Sequence, residues 1–191
     1  MKNLFVNQTL AVKKNLFVKL LLLPLVLFSI GVGDAWAVDA TALLSTLYDG
    51  WTTNTSVNND SKTFGTYFTL TWTKEDSPTN PTYLNNSDGN GVKLYATKSS
   101  TKGGKITITT STAGVYITNV SISGKKTQGT VAFYWDGNTS TTGYSKSYTE
   151  ASHTQSVNAR LKETGGSKNG QYHITSITVS YVVGGSTKTL V

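Results

Sequence analysis

From Gly65 onward the chain sets large apolar residues against small polar ones with a period of two. Residues 67–74 place Phe68, Leu70 and Trp72 between threonines, after Tyr67. Residues 91–96 put Val92 and Leu94 on one face and Lys93 and Tyr95 on the other, and residues 105–110 bury Ile106 and Ile108. Residues 154–162 alternate more weakly through Val157, Ala159 and Leu161, and a last strand is expected over 173–183. Successive side chains of a strand point to opposite faces, so each of these segments reads as a half-buried strand. Residues 130–135 form a nearly continuous hydrophobic run, as expected of a central strand. Turn signals divide the runs: Ser87-Asp88-Gly89-Asn90-Gly91, Lys102-Gly103-Gly104, Gly124-Lys125-Lys126, Asp136-Gly137-Asn138, Gly165-Gly166-Ser167 and Asn169-Gly170. About seven to nine short strands at this spacing predict an all-β fold, an antiparallel β-sandwich of jelly-roll type, with a closed barrel as the alternative.

One internal echo sharpens this picture. Residues 116–123 (Tyr-Ile-Thr-Asn-Val-Ser-Ile-Ser) match residues 173–180 (His-Ile-Thr-Ser-Ile-Thr-Val-Ser) position by position. Apolar groups stand at the second, fifth and seventh places: Ile117, Val120 and Ile122, then Ile174, Ile177 and Val179. A step of three followed by a step of two needs one extra residue, which predicts a β-bulge between the first two apolar sites of each copy. The only helical pattern is short: residues 40–48 gather Leu43, Leu44 and Leu47 on one helical face, and fit an N-terminal strand equally well.

The first part of the chain follows different rules. It carries Lys2, Lys13, Lys14 and Lys19, then an apolar run over 20–33, then Ala35-Trp36-Ala37. A basic start, a short greasy stretch and a small-x-small site are the order of a secretory signal, with the cut expected after Ala37. The apolar run is shorter than the roughly 20 residues that a membrane span needs. The expected organisation is therefore a signal peptide (1–37), an N-terminal segment packing on or leading into the sandwich (38–63), and the β-sandwich domain (64–191). The product would be secreted or periplasmic, with no membrane attachment after cleavage.

Charge and composition then narrow the chemistry. The formal net charge is +7, but the signal holds four of the lysines and one acid, Asp34, so the remainder carries about +4. The chain has a single arginine, Arg160, and arginine is the favoured residue for bidentate contacts to phosphates and bases, so nucleic acid is not an expected partner. There is no cysteine, which excludes disulfides, thiolate metal sites, a thiol nucleophile and a lipidated cysteine. His153 and His173 stand in no metal-ligand spacing, and no cofactor is expected. Residues 85–90 look superficially like a calcium loop, but Leu84 and Tyr95 occupy the first and closing ligand positions, so a tight turn is expected there. A structural calcium elsewhere on the sandwich stays open.

The aromatic residues point to binding rather than catalysis. Trp135, Asp136 and Asn138 lie on one turn, with Tyr144 and Tyr148 close behind in sequence. Aromatic rings serve as platforms for sugar faces while acids and amides hydrogen-bond the hydroxyls, so these five residues form the candidate ligand site, with no catalytic residue assigned. Alternation sends Tyr134 and Trp135 to opposite faces, so one of the two is a surface candidate unless both faces are covered. A hydrolase would need two carboxylates across a cleft, and Asp136 with Glu150 is the pair that could meet.

Thr71-Trp-Thr-Lys74, Asn80-Pro-Thr-Tyr83, Gly91-Val-Lys-Leu-Tyr-Ala96, Lys105-Ile-Thr-Ile108 and Ile174-Thr-Ser-Ile-Thr-Val-Ser-Tyr181 follow one another in a characteristic order. This order resembles a functionally unassigned β-sandwich module of secreted proteins from anaerobic, host-associated bacteria. The resemblance spans roughly 64–182 and implies a sandwich fold, but no functional residue. The leading expectation is a non-catalytic module that binds polysaccharide or cell-surface glycan. The alternative is a structural or adhesive surface protein that contacts other proteins, and a hydrolase ranks below both.

Overall fold

The alternation in the sequence becomes two antiparallel sheets packed face to face. The computed structural model describes residues 37–87, 89–98, 103–165 and 169–184. The expected signal segment, apart from Ala37, and the expected turn residues Asp88, Lys102 and 166–167 lie outside the described residues. Among the described residues, no helix is long and apolar enough to cross a membrane.

The strands are β1 (Val38–Leu43), β2 (Thr55–Ser56), β3 (Ser61–Phe64), β4 (Phe68–Thr73), β5 (Thr82–Asn86), β6 (Gly89–Ala96), β7 (Lys105–Thr109), β8 (Val115–Gln128), β9 (Val131–Trp135), β10 (Asn138–Gly143), β11 (Ser145–Ser147), β12 (Ser156–Glu163) and β13 (Gly170–Val183). One helical turn, α1 (Leu44–Leu47), follows β1, and a 3-10 turn spans Glu150–Ser152. The first sheet runs β11-β8-β13-β6-β5-β2, and the second runs β10-β9-β12-β7-β4-β3. Strands β6, β8, β11 and β13 thus fall in one sheet and β7, β9, β10 and β12 in the other. The strand count exceeds the expected seven to nine because β2, β3, β10 and β11 are short edge elements without apolar alternation.

The ambiguous segment 40–48 is both things in turn. Strand β1 pairs with the second half of β13, from Val38 opposite Tyr181 to Leu43 opposite Ser176, and then the chain coils into α1. Strand β6 takes the first half of the same edge, Gly170 to Ile174. The segment 38–63 therefore supplies β1 and β2 to one sheet and begins β3 of the other.

Both bulges occur where the apolar spacing requires them. Strands β8 and β13 are antiparallel neighbours, with Val120 opposite Val179 and Ile122 opposite Ile177. The register shifts between Ile174 and Ser176, leaving Thr175 as the extra residue, and again where Ile117 and Asn119 face Tyr181 and Ser180, leaving Thr118. Ser121 faces Thr178 at the sixth place of both repeats, so the two copies are related by a local two-fold axis through that pair. The bulges let Ile117 and Ile174 reach the core as well; both are fully buried.

The core lies between the sheets. It holds Phe68, Leu70, Trp72, Ile106, Ile108, Phe133, Trp135, Val157 and Leu161 from one side and Val92, Leu94, Ile117, Val120, Ile122, Ile174, Ile177 and Val179 from the other. His173 is fully buried, on the opposite side of β13 from Ile174. Gly91 makes room for it: a Cβ at Gly91 would lie 2.0 Å from the Ile174 carbonyl oxygen and 2.8 Å from His173 Nε2.

Candidate functional site

The outer face of the second sheet carries a row set by register alone. Thr73 on β4 is opposite Lys105 on β7, Lys105 is opposite Arg160 on β12, and Arg160 is opposite Tyr134 on β9. A neighbouring row runs Ser61, Thr71, Thr107, Asn158 across β3, β4, β7 and β12. Where the two rows approach the β9–β10 turn, a depression of about 420 Å³ opens, lined by Lys105, Tyr134, Asp136, Gly137, Asn158 and Arg160.

Each wall has a local cause. Asp136 and Gly137 form a two-residue hairpin loop with φ of +51° and +80°. Positive φ at both central residues marks a type I′ turn, the form that matches strand twist, and Asp-Gly is a preferred sequence for it. The turn is anchored to β12: Asp136 N–H donates to the Asn158 carbonyl at 2.8 Å, and Asn158 N–H donates to Asp136 Oδ1 at 2.9 Å. The opposite wall is ionic. Glu75, at φ +49° in the turn after β4, pairs with Lys105 and accepts from Arg160 at 2.9 Å and from the Thr73 hydroxyl at 3.1 Å. Asp76 stands 3.8 Å from Arg160. The Lys105 hydrogen bond, reinforced by the charges of Lys105 and Arg160, holds the Glu75 carboxyl below its ordinary value. The Arg160 guanidinium carbon lies 6.0 Å from the Tyr134 ring centroid, at the limit of a cation–π contact.

Some donors remain available. The Asn158 side-chain Oδ1 accepts from the Thr107 hydroxyl at 2.9 Å, while its Nδ2 has no partner among the described residues. Arg160 has five N–H donors and forms one hydrogen bond to Glu75.

The residues expected from sequence to form the ligand site sit differently from one another. Trp135 is only 2% exposed, packs near Phe133 in the core, and cannot offer its ring to a surface ligand. Tyr134 does face outward, yet it is 5% exposed, so both faces of β9 are covered at this point. Asp136 is exposed, but both of its carboxylate oxygens are engaged, Oδ2 by the Tyr148 hydroxyl at 2.6 Å. Tyr148 is half-buried against the core, and burial, then the Asp136 contact, pushes its hydroxyl pKa up. Tyr144 is 38% exposed, donates to the Val131 carbonyl and stacks on Tyr172 at 5.0 Å. Asn138 is exposed at the start of β10. Only Asp136 of the five lines the depression.

Sequence reasoning missed Glu75, Lys105, Asn158 and Arg160. Their grouping depends on pairing between segments as far as 85 positions apart, and no local pattern encodes that. It also missed a second aromatic group, in which Tyr48, Trp51 and Tyr83 pack edge to face or tilted, with Lys62 Nζ 4.7 Å over Trp51 and 5.3 Å over Tyr48. Tyr48 donates to Asp60 at 3.0 Å. Tyr48 and Tyr83 belong to the core and Trp51 packs against it, and Lys62 already covers the Trp51 face. His153 ends the 3-10 turn at φ +47° and stacks on Tyr116 at 4.4 Å. Among the described residues no three His, Cys, Asp or Glu side chains group in a way that could hold a metal ion. In comparisons with known proteins, the chain matches no family model, no curated protein and no solved structure.

Proposed function

We propose that this protein is an exported, non-catalytic β-sandwich that binds a polysaccharide or cell-surface glycan in the depression beside the β9–β10 turn. The observation that carries the reading is convergence. Three separate segments bring Lys105, Tyr134, Asp136, Asn158 and Arg160 to one hollow on an otherwise Thr-rich face. Sugar hydroxyls both donate and accept, so a mixed set of amide, guanidinium, ammonium and carboxylate groups suits them better than it suits an apolar ligand. The proposed site overlaps the expectation from sequence at Asp136 and departs from it by setting Trp135 aside. The strand distribution supports a jelly-roll reading: taken from β6 to β13, the orders β6-β13-β8-β11 and β7-β12-β9-β10 are those of two interlocked Greek keys. Export through the N-terminal signal and a relationship to secreted bacterial modules belong to the same proposal.

Affinity electrophoresis through gels containing single polysaccharides tests it. Retardation of the wild type, lost on Asn158→Ala, is the expected result. Equal mobility of the two proteins in every gel would remove the site.

A further inference from the structure

We infer that the ligand is a linear, uncharged polysaccharide that lies across the strands of the second sheet, with the depression as one end of its track. The inference rests on the glycan-binding reading above and adds the direction, length and charge of the ligand.

The track is the outer face of that sheet. Ser61, Thr71, Thr107 and Asn158 stand in register on four adjacent strands, and Asp136 continues the row at the end of β9. A parallel row, Thr63, Thr69, Thr109 and Ser156, flanks it. All nine residues are at least partly exposed. Hydrogen bonds fix the hydroxyls of the central row: Ser61 Oγ lies 2.8 Å from Thr71 Oγ1, and Thr107 Oγ1 donates to Asn158. Each hydroxyl keeps further donor or acceptor capacity for a ligand.

Strand spacing sets a ruler. Neighbouring strands lie about 4.8 Å apart, so the row from Ser61 to Asp136 spans roughly 19 Å. An extended β-linked pyranose chain advances ~5 Å per sugar, close to that strand spacing, so four to five sugars would each meet one strand. A chain running along the strands would instead meet side chains roughly 6.8 Å apart, out of step with its repeat.

Charge selects the class of polymer. The two cations that line the depression, Lys105 and Arg160, are both paired with Glu75, and Asp76 adds a further acid beside Arg160. Asp136 adds another beside the depression. The hydroxyl rows carry no charge. The depression and the hydroxyl track thus hold no unneutralised positive charge to attract a uronate or sulfated chain, and their acids repel one.

The test uses the purified protein in gels of xylan, mannan and mixed-linkage β-glucan, against polygalacturonate and heparin. Calorimetry then follows oligosaccharides of the retained polymer from disaccharide to hexasaccharide. The expected result is retention by a neutral polymer alone, with affinity rising at least ~10-fold up to the tetra- or pentasaccharide, a gain of about 1.4 kcal/mol. The Ser61→Ala, Thr71→Val double variant removes both members of a hydrogen-bonded pair, so its fold is retained while that length gain is lost. Thr71→Glu blocks the track with a charge and serves as the second variant; Thr178→Val in the other sheet changes nothing. Retention by anionic polymers alone, affinity independent of length, or a full length gain in both track variants would overturn the inference while leaving Asn158-dependent binding intact. Retention by none of the polymers would overturn it together with the glycan-binding reading.

Discussion

Tyr148 donates its hydroxyl hydrogen to Asp136 Oδ2 at 2.6 Å, so two residues that sequence placed side by side as ligand contacts are each other's partner. The bond ties the segment after β11 to the β9–β10 turn, and the turn in turn is tied to β12. Asp136 therefore shapes the wall of the depression through its fixed position. Tyr148→Phe is expected to lower stability by about 1 kcal/mol and to weaken glycan binding less than Asn158→Ala does. Chemical denaturation and affinity electrophoresis of the two variants check this together.

Buried tyrosines make the fold sensitive to alkali. Burial and then the Asp136 contact raise Tyr148; burial and then Asp60 raise Tyr48; burial and then the neighbouring Tyr144 push Tyr172 up to about 12. Unfolded phenols ionise near 10, so above that pH the unfolded chain holds fewer protons than the folded one. Stability from these groups is fully present below pH about 10 and is lost as pH rises through their folded values. A melting temperature that falls steeply above pH about 10, together with tyrosinate absorbance that appears on unfolding, is the expected outcome.

Glu75 gives the opposite slope. Its carboxyl is held below its ordinary value by Lys105 first, so its contribution is present above the unfolded value near 4.3 and is lost as pH falls through the folded one. Glu75→Gln is expected to cost about 1 kcal/mol at neutral pH, given its partly exposed setting, and to flatten the acid limb of the stability profile. It also leaves Lys105 and Arg160 without their shared counter-charge, so retention by polygalacturonate should appear where the wild type shows none.

Trp135 is a core residue whose conservative replacement separates packing from binding. Trp135→Phe is expected to lower the melting temperature and leave affinity unchanged. Trp135→Ala should cost about 3–5 kcal/mol through the cavity it leaves. A variant with wild-type stability and lost binding would return Trp135 to the site.

Gly91 is required by close approach. Gly91→Ala places a methyl 2.0 Å from the Ile174 carbonyl and 2.8 Å from His173 Nε2. Backbone on β13 would have to move, at a cost of about 1–3 kcal/mol or more. Denaturant unfolding measures it.

The sequence was most legible where a local rule decides the outcome. The three-then-two spacing around Val120 and Ile177 placed both bulges, and Asp136-Gly137 announced its turn. Strands β4, β6, β7, β9, β12 and β13 all fall within or beside the segments expected from alternation. Short edge strands such as β2 and β11 carry too few residues to show a period. The site was less legible because it is made by register between distant segments. Alternation correctly sent Tyr134 and Trp135 to opposite faces, but the expected consequence, one exposed ring, failed because β9 is covered on both sides. Glu75 meets Lys105 and Arg160 only after β4, β7 and β12 pair.

The account turns on whether the hollow between β12 and the β9–β10 turn binds sugar. Affinity electrophoresis of wild type and Asn158→Ala in neutral polysaccharide gels asks this directly. The account predicts retardation of the wild type and at least ~10-fold weaker retention of a variant with unchanged circular dichroism, a difference of about 1.4 kcal/mol. A wild type that migrates freely in every gel, or a variant retarded as strongly as the wild type, would contradict it.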